Sequence, residues 1–121
     1  MATGIAATEA NTFLDSLATD YPYIQLHTGD PGSDGTSNVA DESSRVQASF
    51  ASASGGQVAT SAELKWEGVA ANEDYTHWSG WDQASGGACG WTGTITADAV
   101  LAGNNFVISS GNLTYSFTVM A

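Results

Sequence analysis

Residues 113–119 read LTYSFTV: Leu113, Thr114, Tyr115, Ser116, Phe117, Thr118 and Val119. Every second residue is apolar, and the gaps hold small or β-branched polar side chains. A period of two is the signature of a strand with one face on a core and the other in water. Just upstream, 106–108 offers a partner strand, joined through Ser109-Ser110-Gly111-Asn112 as a hairpin. Working back, the same logic yields short strands over 23–28, 45–50, 57–68, 74–82 and 89–96. Turn-rich stretches separate them at 29–42, 52–56 and 83–87, the last with Gly86-Gly87 as a hairpin signal. Only 2–19 has helical spacing, with Ala6, Ala10, Phe13, Leu14 and Leu17 three and four apart. Asn11 and Asp15 are weak helix formers, and the helix should end near Asp20, ahead of Tyr21-Pro22. The expected fold is mainly β: a single antiparallel β-sandwich or jelly-roll-like domain over 1–121, with one N-terminal helix and a sheet spanning 23–119.

Composition narrows function. Two basic residues, Arg45 and Lys65, stand against 13 acidic ones, for a formal charge of -11. Nucleic-acid binding requires several cations to displace counterions, so no nucleic-acid partner is expected, nor an anionic membrane surface. An acidic surface suits a basic partner, divalent cations or simple solubility. The single cysteine, Cys89, rules out an intrachain disulfide and a cysteine-rich zinc site. The N-terminus lacks the charged start and apolar block of a signal peptide, so synthesis and folding in the cytoplasm are expected.

Five groupings could carry chemistry. His27 and Asp30 could form an oriented imidazole–carboxylate pair, but no nucleophile is placed beside them. The alternative is a locally bonded histidine and an Asx turn at Asp30 before Pro31. The 30–41 stretch partly imitates a calcium loop, with Asp30, Asp34, Asn38 and Asp41 as candidate ligands. Gly32 occupies a ligand position, however, and no helices flank the loop, so a solvated turn-rich loop is preferred and no metal is assigned. Cys89 in GGACGW reads as a small half-buried strand residue. Tyr75, Trp78, Trp81 and Trp91 would suit a carbohydrate-binding platform if exposed. Trp78 and Trp81 fall on opposite faces of a regular strand, which favours core or interface packing. Glu63, Lys65 and Glu67 form a solvated strand face opposite Leu64 and Trp66, with Glu73 and Asp74 read as further surface carboxylates.

Two ordered segments carry a resemblance. LHTGDPG at 26–32, followed by SSRVQASF at 43–50, and then THWSGWDQASGGACGWTGTI at 76–95, resemble small phage virion proteins labelled tail fibre or minor tail proteins. Those proteins open with a helix and an "SLHTADPG" type segment, then a "YARQ" type strand, then a "THxxxWDAASGG" type region. Here Gly29 stands where Ala is usual and Ser44 where Tyr is common. The resemblance implies a non-enzymatic virion part, with no catalytic residues and no cofactor to carry over. It marks His27, Thr28, Asp30, Pro31, Gly32 and Arg45, with Trp78, Trp81, Gly86 and Gly87, as a structural signature.

The expectation is therefore a bacteriophage structural protein on the particle surface, either a capsid decoration protein or a tail accessory protein. Its partners would be the major capsid protein or tail proteins of the same virion, with the N-terminal helix or the 29–42 loop as anchor. A homotrimer is expected by analogy. A carbohydrate-binding module for host glycans is the alternative, and a small hydrolase using His27 with Asp30 or Cys89 is the third reading.

Overall fold

The computed structural model describes residues 6–116, and within them the side chains of all but 96–98 and 116. The chain runs α1 (Ala7–Asp20), β1 (Tyr23–His27), β2 (Val46–Gln47), β3 (Gln57–Ala59), β4 (Leu64–Trp66), β5 (Glu73–Trp81), β6 (Cys89–Val100), β7 (Phe106–Ile108) and β8 (Thr114–Ser116). All pairing between these strands is antiparallel. Among the described residues, a four-stranded sheet has the order β2-β1-β5-β6, and β3-β8 and β4-β7 form two two-stranded sheets. This is a mainly β, sandwich-like arrangement with one N-terminal helix. It is not a jelly roll of two equal sheets.

Helix α1 ends at Asp20, where the Tyr21 N–H still bonds the Leu17 carbonyl at 2.8 Å and Pro22 forbids continuation. Residues 2–5 of the expected helix lie outside the described residues. The apolar stripe is narrower than its spacing suggests. Ala10 and Leu14 are buried, whereas Phe13 is 56% exposed. Asn11 and Asp15 dock the helix instead. Their Oδ1 atoms accept the N–H groups of Gly56 and Ala53 at 2.9 and 2.7 Å. The side chains that weaken the helix as an isolated segment therefore seat it on the 53–56 turn.

The expected hairpin between 106–108 and 113–119 does not form. β7 pairs with β4, with Trp66 opposite Phe106, and β8 pairs with β3, with Val58 opposite Tyr115. Phe117, Thr118 and Val119 lie outside the described residues. The single strand expected over 57–68 is likewise two strands. Backbone bonds from Thr60 to Leu113 and from Gly111 to Thr60 turn the chain between them. Each half then joins a different sheet. The expected 45–50 strand shortens to Val46–Gln47, with Phe50 making an isolated bridge to Thr60.

The core lies between the four-stranded sheet and the two small sheets. Ile24 and Leu26 from β1, Trp66 from β4, Tyr75 and Trp78 from β5, and Phe106 from β7 are each at most 3% exposed. Aromatic edges organise it. Trp78 meets Trp91 nearly perpendicularly at 5.2 Å, and Tyr75 meets Phe106 at 4.8 Å. Close approach explains Gly80, where a Cβ would collide with the Trp91 indole that lies over it. These rings were the candidate glycan platform. With Tyr75, Trp78, Trp81 and Trp91 all 7% exposed or less, that platform does not exist.

Candidate functional site

β5 places His77, Ser79 and Trp81 on the face opposite Trp78. β1 lies beside it, with Gln25 opposite Ser79 and His27 opposite His77. This face is polar and still buried, because the 29–42 loop folds back across it. The Thr28 N–H bonds the Asn38 carbonyl, the Ala40 N–H bonds the Leu26 carbonyl, and Val39 bridges to His27. At its far end the loop is clamped by Glu73, whose two carboxylate oxygens accept the N–H groups of Asp41 and Glu42 at 2.8 and 3.2 Å.

His27 is fully buried at the centre. Its Nδ1 lies 2.9 Å from the Ser37 carbonyl and its Nε2 lies 2.7 Å from Ser79 Oγ. A carbonyl can only accept, so Nδ1 carries the proton and Nε2 accepts from the Ser79 hydroxyl. Trp81 Nε1–H donates to the same Ser79 oxygen at 2.7 Å. The chain thus has one direction: Trp81 to Ser79, Ser79 to His27, His27 to the loop backbone. Burial pulls the imidazole below its ordinary pKa against the smaller opposing effect of the loop backbone bonds, and nearby His77 lowers it further. A neutral ring in this tautomer is what the chain requires.

Arg45 extends the chain on the far side of Trp81. Its guanidinium lies 4.0 Å from the indole centroid. Nε donates to Gln25 Oε1 at 3.3 Å, and Nη1 donates to the carbonyls of Gln83 and Gly86 at 2.9 and 2.6 Å. One arginine therefore ties β1 to the β5–β6 turn. Gly86 and Gly87 both have positive φ in that turn, at 67° and 76°. Its base is closed by Asp82, whose N–H bonds the Ala88 carbonyl and whose Oδ1 accepts the Ala88 N–H.

The loop has its own internal order. Asp30 Oδ1 accepts the Gly32 N–H at 2.9 Å, the expected Asx turn ahead of a buried Pro31. Asp34 Oδ1 accepts both the backbone N–H and the hydroxyl of Thr36, which hold its carboxyl below the usual range. Asn38 donates to the Asp30 carbonyl, and Asp41 presents its backbone N–H to Glu73. The four calcium candidates are thus engaged separately. Among the described residues no three His, Cys, Asp or Glu side chains are grouped to hold a metal. Gly35 is pressed on the sheet, where a Cβ would meet Cys89 Sγ at 2.6 Å and Trp81 at 3.4 Å. Burial, more than the neighbouring carboxylates, raises the Cys89 thiol.

His27 and Asp30 do not meet as a pair, and Cys89 and His27 share no bond. Thr28 is exposed, with its backbone in the β1–loop pairing. Six signature residues come together: His27, Pro31, Gly32, Arg45, Trp81 and Gly86 lie where one loop and one turn meet one sheet, whereas Trp78 is in the core on the other face. Ser37, Ser79 and Gln25 were missed by sequence reasoning, and Glu73, read there as a surface carboxylate, is instead the clamp of the loop. A signal existed for Ser79, because in HWSGW it shares strand parity with His77 and Trp81. None existed for Ser37, which acts through its carbonyl.

A family model described as "Podophage GP4 fiber I protein gp80" matches residues 4–116. The chain belongs to this family. No curated protein matches it. The gp80 fibre family is a family of phage structural proteins, so the chain is a bacteriophage virion component. The matched span contains every residue of the polar chain. No helix among the described residues is long and apolar enough to cross a membrane.

Proposed function

We propose that the chain is a non-enzymatic accessory part of a phage tail fibre, held in the particle by contacts with other tail proteins. The observation that supports this most directly is the family match over 4–116, since the matched family is itself a fibre family. The chemistry of the site points the same way. Asp30, Arg45 and Trp81 bond to backbone groups or neighbouring side chains, and His27, the strongest candidate for a general base, has both nitrogens engaged and no water-facing surface. Such residues determine shape.

Locating the chain in intact particles by electron microscopy of a tagged phage tests the reading. Density on the tail at a handful of copies supports it. Density distributed over the capsid lattice in hundreds of copies selects the decoration reading instead. The helix and the 29–42 loop differ as anchors. The loop is bonded to its own sheet, so the exposed face of α1, carrying Phe13, Glu9 and Ser16, is the better docking element, and substitutions there should reduce incorporation without unfolding the chain.

A further inference from the structure

The 29–42 loop is fastened at 38–40 by backbone pairing with β1, at Asp41 and Glu42 by Glu73, and at Ser37 by His27. Of these, only the fastening at Ser37 is made by an imidazole. A second proton on His27 would sit on Nε2 and face the Ser79 O–H. Ser79 could turn its hydrogen away and accept instead. Its oxygen already accepts from Trp81, however, and the displaced hydrogen has no other partner among the described residues. The buried ring cannot take the proton where it stands without breaking the chain.

The charged groups around it do not compensate. His77, another imidazole and not a carboxylate, is its cross-strand neighbour on β5. Arg45 stands behind Trp81. The loop carboxylates Asp30 and Asp34 are exposed and bonded to Gly32 and Thr36. Cys89 on β6 faces Gly35 and is neutral near pH 7.

We propose that His27 is a pH-operated latch: protonation expels the imidazole from the Ser79 hydroxyl and frees the 29–37 part of the loop from the sheet, while 38–42 and the core beneath remain in place. Gly35 in this part of the loop lies against half-buried Cys89, the single cysteine of the chain, so an increase in thiol labelling reports its opening. The test measures maleimide labelling of Cys89 from pH 8 to pH 5. Each rate is divided by that of the urea-unfolded chain at the same pH, and urea unfolding is followed in parallel. An open-state imidazole of ordinary pKa, set against a closed state that refuses the proton, raises the opening constant by about 30-fold over this range. His27→Gln should flatten the profile to within about twofold, because the titrating group is gone.

A flat wild-type profile, a rise that survives in His27→Gln, or a rise that coincides with global unfolding overturns the proposal. Should His27→Gln fail to fold, NMR of the wild-type ring decides. A neutral His27 in the closed form at pH 5, with loop amides exchanging with an open form, supports the latch. A His27 that titrates at its ordinary pKa while the loop amides stay unmoved overturns it.

Discussion

At the scale of single residues, the governing fact is that a buried histidine has both nitrogens committed. His27→Ala leaves the Ser37 carbonyl and the Ser79 hydroxyl without their partner and opens a cavity, so urea unfolding should show a loss of about 2–4 kcal/mol. The pH dependence has a definite sign. The folded-state pKa of His27 is lowered, so the unfolded chain binds the extra proton first. Its contribution is complete above the unfolded value of about 6.5 and is lost as pH falls from there through the folded pKa. Unfolding measured between pH 8 and pH 4.5 should show a slope attributable to His27 that is absent in His27→Gln. Arg45 makes a different case. Lysine retains the charge but cannot stack on Trp81 while bonding Gln25 and two carbonyls, so Arg45→Lys should cost about 1–2 kcal/mol by the same measurement.

At the scale of elements, the loop and the β5–β6 hairpin are fitted to each other through Gly35 and Cys89. Gly35 has φ of 76°, and any side chain there meets the thiol. Gly35→Ala should therefore destabilise by about 2 kcal/mol, from backbone strain together with overpacking. In a Cys89→Ala background the penalty should shrink, because the sulfur is removed while the strain remains. A double-mutant cycle on thermal unfolding with no coupling between the two sites would show that the loop does not bear on β6. The elements also show how far local pattern reaches. The period of two in 64–66 and 106–108 places Leu64, Trp66, Phe106 and Ile108 inward and Lys65 and Val107 outward, as alternation predicts. Lys65 lies 3.6 Å from Glu67 in water, the mild ion pair expected of that face. Alternation carries no information about which strand lies alongside. The Ser109-Ser110-Gly111-Asn112 turn looked like a hairpin because it is short and turn-rich. In the fold it only redirects the chain from β7 to β8.

At the scale of the whole molecule, charge dominates. With two cations among 15 charged side chains, and with Arg45 folded onto Trp81 and carbonyls, nearly all accessible charge is negative. Self-repulsion opposes compaction and is screened by salt, so the melting temperature should rise when sodium chloride goes from about 10 to about 500 mM. We further propose that 1–121 is one domain, because the core runs through all three sheets. The same melts should then show a single cooperative transition at every salt concentration.

The sequence by itself determined the local and additive properties. The alternating patterns made the chain β-rich. Pro22 ended the helix. Asp30 and Pro31 made an Asx turn, and the shortage of cations made the net charge strongly negative. Each of these follows from neighbouring residues or from totals. Only the tertiary structure decided that β7 and β8 part to different sheets, that the acidic loop folds onto its own sheet, and that His27 bonds Ser37 and Ser79 rather than Asp30. Those outcomes depend on partners far apart in the chain, Ser79 being 52 residues from His27. One of those partners acts through a backbone carbonyl that every residue type possesses. Pairing of that kind is chosen by the competition among all strands and loops for buried surface and satisfied hydrogen bonds, and no single stretch of sequence contains that competition.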